Sequence, residues 1–153
     1  MATRSCIARK TQNGYEAVYC HWDGYPAYTG NLLLEHYKSS ELVKELLSHG
    51  DISVLGPSIG QKHDFNDRPD EVTTFYHRDR DEEWTSVKPR NFDRVNGLKL
   101  WAEMCGCEYL YLWQHDAWYY ACRGPQMFGL SDGSPLSRLK QLTKRITEPE
   151  VVS

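Results

Sequence analysis

The chain has 153 residues, of which 25% are charged and 40% apolar, and its formal net charge is -3. That balance excludes a disordered, coiled-coil or fibrous protein and predicts a single globular domain over residues 1–153. No apolar run approaches the roughly 18 residues of a membrane span. The first ten residues carry Arg4, Arg9 and Lys10 without an apolar core. A cytoplasmic protein with no membrane association is therefore expected.

Residues 3–9 and 15–22 read as antiparallel strands, because Asn13-Gly14 separates two β-branched and aromatic runs. Asn31 caps a short helix carrying Leu33, Leu34 and Tyr37. Ser39 or Ser40 then caps a second helix with a stripe of Leu42, Val43, Leu46 and Leu47, which stops at Gly50. Residues 55–91 form an irregular polar segment punctuated by Pro57, Gly60, Pro69 and Pro89, with Val72–Tyr76 as its candidate strand. Val95, Leu98, Trp101, Ala102 and Cys105 recur at helical spacing and predict a helix over 93–105. Residues 108–114 and 117–123 read as strands around a turn at His115-Asp116. Pro135 opens an amphipathic helix over 135–146, with Leu136, Leu139, Leu142 and Ile146 on one side and Arg138, Lys140, Lys144 and Arg145 on the other. The expected fold is α+β: an antiparallel sheet of about four to five strands, helices packed mainly on one face, and a C-terminal helix.

Five cysteines are an odd number and read as reduced, buried thiols. Cys105 and Cys107 are one residue apart, too close for a zinc knuckle, so no metal and no cofactor is expected. The densest chemistry lies between Cys20 and Tyr28. There His21 and Asp23 offer a general-base pair, and Trp22, Tyr25 and Tyr28 offer amphipathic binding surface. The bland alternative has Asp23 capping the turn and His21 bonding to backbone. No nucleophile elbow or phosphate loop accompanies the pair, which points away from an enzyme.

The aromatic residues are ten Tyr, five Trp and only four Phe. Tyr and Trp favour places that are half apolar and half wet. Pairing the two strands around His115-Asp116 sets Trp113 opposite Trp118 and Tyr111 opposite Tyr120 on one side. Leu110, Leu112, Tyr119 and Ala121 fall on the other. If the leucines face the helices, the aromatic row is free to dock a partner or stack a planar ligand; if the faces are reversed, the row is core.

Eight acids lie between Asp64 and Glu83, and Asp79, Asp81, Glu82 and Glu83 make the candidate acidic patch. Such a patch suits a basic partner. Arg78 or Arg80 could also hold the phosphate of a nucleotide, whereas direct nucleic-acid binding is disfavoured by the net charge.

Met1-Ala2-Thr3-Arg4-Ser5, Tyr19-Cys20-His21-Trp22-Asp23-Gly24-Tyr25-Pro26, Gly30, Leu33-Leu34, His36-Tyr37 and Gly50-Asp51-Ile52-Ser53 resemble a group of small tailed-phage and prophage proteins. The likeness covers about residues 1–55, with weaker echoes near 108–120. It implies a phage-encoded protein of the bacterial host cytoplasm that binds and inhibits a host or defence component, in the manner of an anti-CRISPR inhibitor. The resemblance carries no catalytic residue. The competing expectations are a nucleotide-signal sequestering protein and a small hydrolase using His21 and Asp23.

Overall fold

The computed structural model describes residues 2–123 and 140–142. Strand β1 (Ser5–Thr11) turns directly into β2 (Gly14–Trp22), and the two pair antiparallel from Ser5↔Cys20 to Thr11↔Gly14. The hairpin was legible, but its two loop residues are Gln12-Asn13, because Gly14 is already paired.

A π-turn (Pro26–Gly30), α1 (Asn31–His36) and α2 (Ser40–Ser48) lead from β2 to β3 (Ile52–Val54). The Ser39 hydroxyl accepts the Leu42 N–H at 3.2 Å and caps α2. Gly50, at φ +81°, takes the left-handed position that ends the helix. β3 lies parallel to β2, through Cys20↔Ile52 and Trp22↔Val54. Then come β4 (Thr74–Phe75), α3 (Tyr76–Arg80), α4 (Trp84–Val87) and β5 (Arg90–Phe92), so the 55–91 segment holds short regular elements. α5 (Val95–Met104) carries the chain to β6 (Tyr109–Gln114), which lies parallel to β1. The β6–β7 (Ala117–Cys122) hairpin has the anticipated register, Trp113↔Trp118 and Tyr111↔Tyr120, with His115 and Asp116 both at positive φ. β8 (Lys140–Gln141) pairs with β7. It is extended where a helix over 135–146 was expected; the rest of that span lies outside the described residues.

The described strands run β4-β3-β2-β1-β6-β7-β8, with β5 sharing the outer edge of β2 with β3. This corrects the expectation of a four- to five-stranded antiparallel sheet. The sheet is mixed and has eight described strands, because two helical crossovers return the chain parallel to an earlier strand. It also corrects the expectation of helices mainly on one face. Leu33 of α1 and Val43, Leu46 and Leu47 of α2 pack on Ile7, Val18, Tyr111, Trp113 and Trp118. Val95, Leu98 and Ala102 of α5 pack on the opposite face, against Cys6, Ala8, Ala17, Leu110, Leu112 and Ala121. Every residue of β6 is buried, as expected of a strand covered on both sides.

Where β2 exchanges β5 for β3 along its edge, the Tyr19 N–H has no strand opposite it. The Asp51 carboxylate accepts it at 2.9 Å and pairs with Arg90 at 2.6 Å, closing the gap.

Candidate functional site

The aromatic row is core. Tyr111, Trp118 and Trp113 are 0%, 2% and 6% exposed beneath α1 and α2, and Tyr120 packs half-buried beside them. The free-face expectation for these four is therefore corrected: the aromatic side of β6 and β7 is the side that α1 and α2 cover. Their polar tips are used internally. The Trp118 indole donates to the Tyr37 carbonyl at 2.9 Å, Trp113 to the Ser40 hydroxyl at 3.1 Å, and Tyr111 to the Gly24 carbonyl at 2.7 Å. Tyr28 and Tyr37 donate to the Leu55 and Gly56 carbonyls, each at 2.7 Å. The surplus of Tyr and Trp over Phe thus satisfies loop and helix-end carbonyls inside the protein.

The Cys20–Tyr28 stretch is the corner where the chain leaves β2. Asp23 is left-handed at φ +55°, and its carbonyl accepts the Thr29 hydroxyl at 2.7 Å. The change of direction after Trp22 separates Asp23 from the strand face of His21, and no hydrogen bond joins the two. The His21 ring instead shares a 2.7 Å hydrogen bond with the Tyr19 hydroxyl through Nδ1. The general-base pair is not formed. Tyr25 is half-buried against the core, whereas Trp22 is 44% exposed, its ring standing edge-on to His21 at 4.7 Å.

Gly24 passes so close to β1 that an added Cβ would lie 2.6 Å from the Ser5 hydroxyl and 2.7 Å from the Thr3 carbonyl. Gly24→Ala is expected to cost about 1–3 kcal/mol through this overpacking. A thermal-unfolding midpoint equal to that of the parent would show that the corner yields freely.

One end of the α5-side sheet face is polar. The β1–β2 ladder ends at the pair Ser5↔Cys20; Arg4 and His21 are the next residues on either side of that pair, and Ser53 of β3 lies on the other side of His21. Arg4 is exposed. Among the described residues, its guanidinium has no hydrogen-bond or ion-pair partner. Burial, and secondarily the Arg4 charge, hold the His21 pKa below the usual imidazole value. Burial keeps the Tyr19 hydroxyl protonated well beyond the usual phenol range.

The acidic run divides. Asp79 is buried and is removed from the patch. Its carboxylate takes N–H groups from Phe75 at 2.8 Å and His63 at 3.1 Å and pairs with Arg78 at 3.0 Å. Arg78 cannot serve a phosphate, because its five N–H groups are all occupied, by both Asp79 oxygens and the Ile59, Gly60 and Thr73 carbonyls. Arg80 pairs with Glu82 at 3.3 Å and lies over the Phe65 ring. Asp81, Glu83 and Trp84 are exposed, and Glu82 is half-exposed. Composition had not singled out Trp84. Its ring stands edge-on to His77, and with Ser48, His49, His77 and Arg78 it lines an open hollow of about 380 Å³.

All five cysteines are free, and burial pushes the Cys20 thiol up to about 12. Among the described residues, no cluster of His, Cys, Asp and Glu is arranged to hold a metal ion, and no helix is long and apolar enough to cross a membrane. No protein-family model matches the chain, and no curated protein or solved structure matches it either.

Proposed function

We propose that the protein is a non-enzymatic binding protein, phage-encoded and active in the bacterial host cytoplasm. It inhibits a host or defence protein by occupying a basic surface of that partner. The observation that carries this reading is the run Asp81-Glu82-Glu83-Trp84, exposed but for half-exposed Glu82, beside the hollow lined by His49, His77 and Trp84. An exposed indole set among carboxylates combines an apolar anchor with charges that steer a cationic surface toward it. The local ion pairs, Lys62–Asp81 and Arg80–Glu82, are solvent-exposed and worth about 0–1 kcal/mol each, so a partner can displace them. The sequence resemblance supports the phage setting. His21 bonds to the Tyr19 hydroxyl rather than to Asp23, which favours binding over hydrolysis by that pair.

The test is affinity purification from host lysate with the parent and with a variant carrying Asp81→Lys, Glu82→Lys, Glu83→Lys and Trp84→Ala. The expected result is a protein retained by the parent, released by raised salt and lost by the variant. Recovery of the same proteins by both would refute this assignment of the surface.

A further inference from the structure

We propose that the polar end of the sheet, on the side that carries α5, is a binding site for a nucleoside phosphate, with Arg4 and His21 on the phosphate and the exposed ring of Trp22 against the base. This site is separate from the acidic edge and does not depend on the function proposed for it.

Along β1 and β2, the residues facing α5 are Cys6, Ala8 and Ala17, buried under the helix, and Tyr15 and Tyr19, half-buried beside them. Toward the sheet end the same face leads from Cys6 to Arg4 on one arm of the hairpin and from Ala17 through Tyr19 to His21 on the other, with Ser53 next to His21 on β3. α5 ends at Met104, and Gly106 follows with the Arg4 guanidinium lying across it, 2.9 Å from where a Cβ would stand. The helix therefore stops short of this row. A guanidinium with no partner among the described residues is left beside a half-exposed imidazole.

The hydrogen bond to Tyr19 orients that imidazole. That bond occupies Nδ1 and leaves Nε2 as the ring nitrogen available to a ligand; in the tautomer that accepts the Tyr19 O–H at Nδ1, Nε2 carries the proton and donates to a ligand oxygen. An arginine and an imidazole N–H converging on one row suit a phosphate monoester. The Glu108 backbone N–H donates to the Arg4 carbonyl at 2.8 Å and fixes the Arg4 backbone at this end of the sheet. Trp22, 44% exposed with its ring at the imidazole edge, supplies the aromatic face on which a base stacks. This arrangement replaces Arg78 and Arg80 as phosphate ligands, both of which are engaged elsewhere.

The test follows the His21 ring and the Trp22 indole N–H by NMR during titration with AMP, inorganic phosphate and adenosine. With AMP the expected result is saturable movement of both signals. Phosphate alone should move His21, adenosine alone should move Trp22, and each should bind more weakly than AMP. Arg4→Ala should weaken AMP binding at least tenfold, and Arg4→Lys should recover part of the loss. The proposal is overturned if about 10 mM AMP, ten times a millimolar dissociation constant, leaves either signal in place. It is also overturned if folded Arg4→Ala titrates like the parent.

Discussion

Trp118→Ala is expected to leave the protein largely unfolded or to remove most of its resistance to urea. Trp118 is 2% exposed on β7, edge-on to Trp113 at 5.4 Å, and its indole N–H fills the Tyr37 carbonyl. Truncating a buried Trp costs about 3–5 kcal/mol, out of the roughly 5–15 kcal/mol that stabilises a whole domain. Trp118→Phe separates the two components of that loss. It keeps most of the apolar volume but leaves the buried Tyr37 carbonyl without its donor, a penalty of about 1–3 kcal/mol. Urea unfolding measures both. A docking face predicts something else: a surface Trp118→Ala stays within about 0.5 kcal/mol of the parent. That outcome would return the aromatic row to the outside of the molecule.

The same residue shows where the sequence was informative. Alternation along β6 and β7 and the turn at His115-Asp116 specified the register, because a slip of one residue would send every side chain to the other face. It did not specify which face meets the helices, since both rows are apolar. The signal that resolves the question is the unbroken apolar run Tyr109–Trp113, which suits a strand buried on both sides. Two-sided burial in turn implies helices on both faces.

The parallel pairings left weaker traces. β3 is only Ile52-Ser53-Val54, and β5 is Arg90-Asn91-Phe92, with a single apolar residue. Neither is long enough to show a period, and without them the crossovers that make β2–β3 and β1–β6 parallel cannot be seen. At the candidate sites, His21 and Trp22 stood out by residue type, whereas Arg4 did not. Its significance arises only when the fold sets it just past the last β1–β2 pair, Ser5↔Cys20, at the same end of the sheet as His21. Trp84 was equally obscure, because an isolated Trp in a polar segment has no periodic neighbours.

Asp79→Asn is the second substitution with a large expected effect. In sequence, His77-Arg78-Asp79-Arg80 resembles a solvated charge run, yet the Asp79 side chain is 0% exposed and that of Arg78 only 13%. Together they tie Ile59, Gly60, Thr73 and Phe75 to α3, which is how a polar segment with little core of its own is held in place. Neutralising one partner leaves the other charge uncompensated, at a cost of about 3–5 kcal/mol.

The pH dependence identifies the charge as the cause. Burial alone raises the Asp79 pKa, but the hydrogen bonds from Arg78, Phe75 and His63, with the Arg78 charge, outweigh it and bring the value below the usual carboxylate range. A folded-state value below the unfolded value of about 3.9 means that the ionised group stabilises the fold. That contribution is complete above about pH 5 and disappears as the pH falls through the folded-state value. Urea unfolding at a series of pH values should therefore give a gap between parent and Asp79→Asn that is constant near neutrality and closes in acid below about pH 4. A gap that persists unchanged into strong acid would assign the loss to packing and leave the Arg78–Asp79 pair without its stabilising role.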